Sequence, residues 1–274
     1  MQVSMKLLFV GVALMSAIFS GCKKDSDPIP STSNIDGLVM IATGYSDAGG
    51  MKISVYSTDS LYSRYTNLFV EVRDSATDAV IENAEITIIP MMEMPTMQHS
   101  APFENPSSTS AVEGLFPCAV VFQMPGEMGW SLAIHVLEYV NGGEGEVTFS
   151  LMVKNPEPAR TRVVTPLNST VPLIISYVQP TNPEVGINNF EVTLHSKETP
   201  LSWPSIENYT VEIYPMMPSM GHGSPNNVNP THSANGHYKG QVNFTMTGLW
   251  RINLNIMDGS TVVDSTAYFE ITLQ

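Results

Sequence analysis

The sequence predicts an all-β protein built as two β-sandwich domains in tandem behind an export signal. Three observations carry this. Apolar and polar residues alternate wherever a pattern is clear, as in Trp250-Arg251-Ile252-Asn253-Leu254-Asn255-Ile256, and period two is the mark of a half-buried strand. Beyond the N-terminus no long stretch carries helical periodicity, while 19 Gly and 20 Pro are scattered along the chain as punctuation between short strands. The chain also repeats itself: Trp130-Ser131-Leu132-Ala133-Ile134-His135-Val136 has the same phase as the stretch from Trp250, and Phe149 precedes Phe269 by the same 120 positions.

In chain order, residues 1–21 read as a signal peptide. Lys6 supplies the positive charge, and Leu7 to Phe19 form an apolar run too short to span a bilayer as a stable helix. The run ends in Phe19-Ser20-Gly21-Cys22, which resembles the bacterial lipobox, with Phe19 in place of the usual Leu. The resemblance implies lipidation of Cys22 and anchorage to a membrane; an ordinary cleaved signal with a chance Cys is the alternative. The stretch 22–35 is polar and proline-containing, as expected of a flexible tether. Its Cys-Lys-Lys-Asp start is similar to lipoproteins of the Bacteroidetes group, which implies a cell-envelope location, facing either the periplasm or the surface.

Residues 36–155 and 165–274 are the two expected sandwiches, with 156–164 as the linker around Pro156-Glu157-Pro158-Ala159-Arg160. In the first, Ile86, Ile88 and Pro90 alternate as Val211, Ile213 and Pro215 do in the second. Val147, Phe149, Leu151 and Val153 likewise alternate as do Ala267, Phe269, Ile271 and Leu273. Asn141-Gly142-Gly143 and Asp258-Gly259 are turn signals. Each unit has roughly the hundred residues of an immunoglobulin-like domain. The roughly 240 residues past the tether suffice for two ordinary cores.

Charge and cysteine content exclude several functions. The chain has 12 basic and 26 acidic residues, a net of −14. Removing Lys6 with the signal leaves eleven basic against the same 26, a net of −15. No basic stripe exists to neutralise phosphates, so nucleic acid is not expected as a partner. With Cys22 carrying lipid, Cys118 is the remaining thiol and has no intrachain disulfide partner. No Gly-x-Ser-x-Gly, His-Glu-x-x-His, phosphate-loop or dinucleotide pattern occurs, so no enzymatic activity is expected.

One motif does carry chemistry. Met217-Pro218-Ser219-Met220-Gly221-His222 is echoed by Met94-Pro95-Thr96-Met97-Gln98-His99. Two thioethers and an imidazole form a donor set that suits copper, above all Cu(I). The candidate ligands are therefore Met217, Met220 and His222, with His237 as a second imidazole, and Met94, Met97 and His99 in the first copy. In an extended segment Met220 and His222 face the same side. The competing reading is packing, since methionine fills irregular core gaps. Met246 continues the phase of Val242 and Phe244 and is expected in the core, whereas His135 and His195 are expected on the surface.

The strand-loop-strand pattern from Val211 through the Met-rich loop, Gly236-His237-Tyr238, and Met246-Thr247-Gly248-Leu249-Trp250 resembles the YtkA-like/FixH-like domain family. It is more distantly similar to CopC-type copper-binding sandwiches. Pro90-Met91-Met92, Gly114, Phe116, Phe122, Met124 and Trp130 keep parts of the pattern in the first copy, where Leu115 replaces His237 and Cys118 replaces Gly240. The resemblance implies an exported immunoglobulin-like binding module, often linked to metal or respiratory contexts. The expectation is copper binding for storage, delivery or tolerance. The alternative is a metal-free adhesion or assembly module that contacts an envelope partner protein through its Met-rich loops.

Overall fold

A computed structural model describes residues 32–46, 50–140, 142–166 and 169–274. The expected signal peptide and Cys22 lie outside the described residues. Every regular element among those described is a strand, and each strand pairing is antiparallel. No helix among them is long and apolar enough to cross a membrane.

The first half contains β1 (Val39–Tyr45), β2 (Met51–Ser57), β3 (Tyr65–Asp74), β4 (Ala84–Glu93), β5 (Gln98–Ser100), β6 (Phe103–Glu104), β7 (Phe116–Val121), β8 (Gly126–Glu138) and β9 (Glu144–Val153). One sheet runs β1-β2-β3-β7-β6 and the other β5-β4-β8-β9. The second half contains β10 (Thr161–Val164), β11 (Leu173–Gln179), β12 (Gly186–Ser196), β13 (Thr210–Met217), β14 (His222–Gly223) and β15 (Val228–His232). It continues with β16 (His237–Phe244), β17 (Gly248–Asp258), β18 (Thr261–Asp264) and β19 (Tyr268–Leu273). Its sheets run β10-β11-β12-β16-β15 and β14-β13-β17-β18, with β19 on β17. The strand order of the first half is thus reproduced in the second, with β18 added. β10 pairs with β11, so the second sandwich already begins within the stretch read as linker.

The alternation that predicted strands is the alternation that builds the cores. Along β17, Trp250, Ile252, Leu254 and Ile256 are buried and the residues between them are not. Their inner faces meet those of β11, β12 and β16 in one apolar cluster with Phe190, Tyr238, Phe244 and Phe269. The first sandwich has its own cluster around Trp130, Phe116 and Phe122. Each such side chain, once buried, contributes about 2 kcal/mol by leaving water. The chain is therefore two tandem immunoglobulin-like sandwiches, each with a separate core.

The two sandwiches also touch. The Tyr65 amide donates to Ser176 Oγ at 2.9 Å, and the Ser100 amide donates to the Pro200 carbonyl at 2.8 Å. The imidazole of His99 stands edge-on to Trp203 of the second sandwich, ring centroids 6.4 Å apart.

Candidate functional site

The Met-rich motifs form two equivalent hairpins, β4–β5 and β13–β14. Antiparallel register places Met92 opposite His99 in the first and Met217 opposite His222 in the second. Residues directly opposite on an antiparallel pair have Cβ atoms roughly 5 Å apart on one face. On the other side, Met92 pairs with Trp130 of β8. Met216 pairs with Arg251, which sets the next inward residue, Met217, beside Trp250. Each hairpin therefore lines up an imidazole, a thioether and an indole across three strands.

Ring geometry repeats between the copies. His222 meets Trp250 edge-on with centroids 6.0 Å apart at 85°, and His99 meets Trp130 at 5.6 Å and 87°. Each indole Nε1 donates to a backbone carbonyl: Trp130 to Met124 at 3.0 Å and Trp250 to Met246 at 2.9 Å. The thioethers fill space that glycines leave. A Cβ on Gly248 would lie 2.8 Å from the Met217 methyl, and one on Gly129 would lie 2.8 Å from that of Met92.

This register corrects the sequence echo by two residues. Met217 corresponds structurally to Met92, not to Met94, because Pro90-Met91-Met92 occupies the place of Pro215-Met216-Met217 against the facing strand. The loop in the first copy is two residues longer. Only the histidines at the loop ends coincide.

The remaining candidates are placed as follows. Met220 sits on the turn, 61 % exposed, where its amide and that of Gly221 both donate to the Met217 carbonyl. Gly221 has φ +65, a left-handed conformation that lets the chain reverse here. Neither ring nitrogen of the half-buried His222 has a hydrogen-bond partner among the described residues. In the first copy Met94 packs partly against the core and Met97 is exposed. His99 is buried, and its Nδ1 donates to the Ser100 carbonyl at 2.8 Å. That bond fixes the proton on Nδ1 and leaves the Nε2 lone pair available.

His237 lies elsewhere. It opens β16, whereas Phe244, stacked near Trp250 at 5.6 Å, closes it. Seven residues of strand separate them, about 23 Å at the usual rise. The structure thus does not bring His237 to the His222 hairpin. Both its nitrogens are engaged, Nδ1 with Glu191 at 2.6 Å and Nε2 with Glu104 of the first sandwich at 2.8 Å. Burial alone would lower its pKa, but the two carboxylates overturn that and raise it to about 9. A ring held as imidazolium offers a metal no lone pair. Burial opposes ionisation of Glu104, yet hydrogen bonds from His237 and Tyr65 hold its carboxyl below the usual range.

Two surface or core expectations change. His195 is buried, its Nδ1 without a hydrogen-bond partner among the described residues and its pKa pushed down to about 4 by burial, because the loop through Ser205 folds over the end of β12. Met246 is exposed, since β16 stops at Phe244 before the phase reaches it. His232 closes β15, its ring tilted against Tyr238, with Nε2 buried and without a hydrogen-bond partner among the described residues. His135 is part-exposed beside Glu146, as its strand phase predicted. Sequence reasoning missed Glu104, Glu191 and Tyr65 around His237, and no local pattern marks a contact spanning 133 positions. Among the described residues no three His, Cys, Asp or Glu side chains are grouped to hold a metal ion, so a metal here would depend on thioethers.

The family profile described as YtkA-like matches residues 172–255, so the resemblance read from the Met-rich loop holds within the second sandwich. Among solved structures, domains 5–6 of the S-layer protein SbsC cover 86 % of this chain and 97 % of theirs, at 11 % identity and TM-score 0.28. The D0-D1 domain of intimin covers 85 % and 100 % at 11 % identity and TM-score 0.22. The titin I-band fragment I67–I69 covers 85 % and 66 % at 10 % identity and TM-score 0.20. No curated protein matches the chain.

Proposed function

We propose that this is a lipid-anchored, extracytoplasmic binding protein of the cell envelope that holds Cu(I) at the tip of its second sandwich. The observation that supports it is the cross-strand pair of Met217 and His222, with Met220 on the turn between them. The donor chemistry fits: soft thioethers and a neutral imidazole select Cu(I) over the harder divalent ions. Met217, Met220 and His222 would hold the ion. Met92, Met97 and His99 are the matching set in the first sandwich, so Met92 joins the candidates there. Bound copper would be stored or passed on by thioether exchange, and no protein acid or base is required. The role of this chain's residues is to present lone pairs from a β-hairpin whose inner side is fixed on an indole.

The test is an anaerobic Cu(I) titration of the unlipidated chain against a chromophoric competitor, repeated with Met220→Ala/His222→Ala. Both replaced side chains are at least partly exposed, so the fold should survive. Binding of one or two equivalents, lost or halved in the variant, is the expected result. No competition by the unaltered chain would sink the copper reading and leave the exposed Met220 turn as a contact for an envelope partner protein.

A further inference from the structure

Where the two sandwiches meet, a cleft of about 570 Å³ opens between the β2–β3 end of the first and the β11–β12 end of the second. Its size falls in the range of small-molecule sites, roughly 300–1,000 Å³. On a chain of net charge −14 its lining is an exception, because it carries Arg64 and Arg160 against one carboxylate, Asp59. Asp59 is already committed to Arg64 at 3.3 Å. Arg160 therefore faces the cleft uncompensated.

Of the five arginines, Arg64, Arg73 and Arg251 each meet a carboxylate, whereas among the described residues neither Arg162 nor Arg160 has one within ion-pair distance. Of these two it is Arg160 that lines the cleft. Its guanidinium lies over the Tyr177 ring at 4.5 Å, and Nη1 reaches the Glu270 carbonyl at a long 3.5 Å. Burial, with the Arg64 charge adding in the same direction, holds its pKa below the usual guanidinium value, although Tyr177 opposes this. A guanidinium has five N–H donors in a planar fork that matches a carboxylate. Removed from water without a counter-charge it is costly, and an anion entering the cleft would relieve that cost.

The rest of the lining narrows the class of anion. Thr58, Asn67 and Asn182 are among the residues that line the cleft, and their side chains make no hydrogen bond among the described residues. Uncommitted hydroxyl and amide groups around a single fork suit a ligand with one carboxylate and several hydroxyls. We propose that this cleft binds a small polyhydroxylated carboxylate of sugar-acid size, with Arg160 as the counter-charge to its carboxylate. The site is separate from the Met/His hairpins and does not depend on them.

The experiment is isothermal titration of the unlipidated chain with D-glucuronate, D-glucose and inorganic phosphate as probes. The expected result is saturable one-to-one binding of glucuronate, none of glucose, and phosphate weaker than glucuronate. Arg160→Gln should weaken glucuronate at least tenfold. Because Arg160 also packs on Tyr177, Asn182→Asp provides a second variant. It alters an exposed residue whose side chain makes no hydrogen bond among the described residues, and should weaken glucuronate at least tenfold by repulsion. Absence of saturable binding, equal binding of glucose, tighter binding of phosphate, or unchanged affinity in either variant would overturn the proposal.

Discussion

His237 of the second sandwich and Glu104 of the first meet at 2.8 Å, and the other nitrogen of the same ring meets Glu191 at 2.6 Å. One imidazolium thus bridges two carboxylates across the junction, with the Tyr65 hydroxyl donating to Glu104 and the Tyr65 ring edge-on to His237 at 5.3 Å. Lys239 adds a more exposed cation 3.6 Å from Glu191. Without the ring's charge, two half-buried carboxylates would be left short of a counter-ion. The junction is therefore held by charge as well as by backbone bonds.

The pH dependence follows in sign from this pairing. The folded-state pKa of His237 is raised to about 9 from an ordinary 6.5. Its contribution is complete below pH 6.5 and is lost as pH rises through about 9. Glu104 and Glu191 are held below the ordinary 4.5, so their share is present above 4.5 and is lost as pH falls through the lowered values. Thermal midpoints should form a plateau between about pH 4.5 and 6.5 and decline on both sides. In His237→Gln the alkaline decline should disappear while the plateau drops by about 3 kcal/mol, the usual cost of breaking a buried pair. A variant that keeps the alkaline decline would show that another group governs it.

Gly240 lies where β16 runs beneath the backbone of Val228 and Pro230. A Cβ there would fall well inside contact distance of the Val228 carbonyl oxygen and reach the Pro230 nitrogen at 2.8 Å. Both neighbours are backbone and cannot turn away. Gly240→Ala should therefore displace β15 and cost about 1–3 kcal/mol, seen as a lower denaturant midpoint. Faster amide exchange along Val228–His232 should accompany it. An unchanged midpoint would mean that β15 adjusts freely.

The fold was legible because one physical rule, alternation of burial along a half-buried strand, applies equally to β8, β17 and the strands beside them. Their repeat at a fixed interval exposed the duplication without any structure. The hairpin histidines were legible for the same reason. At the loops the sequence offered two rival alignments, the Met-Pro-x-Met echo pairing Met94 with Met217 and the strand phase pairing Pro90 with Pro215, and the structure follows the strand phase. Alternation also fails where a strand is covered on both faces. The end of β12 buries Val192 through His195 without a break, under a loop whose position depends on distant packing. The Glu104–His237 contact joins two cores, and nothing local encodes it.

Trp250 and Trp130 anchor the two hairpins from inside, both essentially inaccessible to solvent. Trp250→Ala should cost about 4 kcal/mol from lost burial and the resulting cavity. Trp250→Phe should cost less but still forfeit the Nε1 bond to the Met246 carbonyl, worth about 1 kcal/mol. Denaturant melts of the two variants should rank in that order. Equal losses would mean that the indole N–H, not its bulk, secures the hairpin.

Cys118 is buried in β7, where burial pushes its thiol up to about 12 and the nearby Glu104 charge adds in the same direction. The nucleophile in thiol chemistry is the thiolate, and at neutral pH this group has almost none. The residue is also buried, 6 % exposed. In a Cys22→Ser chain, Cys118 should resist a disulfide-exchange reagent under native conditions and react with one equivalent after denaturation. Because the residue sits on the strand that pairs with Leu68, any native reaction should follow the rate of opening of the first sandwich and rise with added denaturant. Rapid native labelling, independent of denaturant, would contradict this placement.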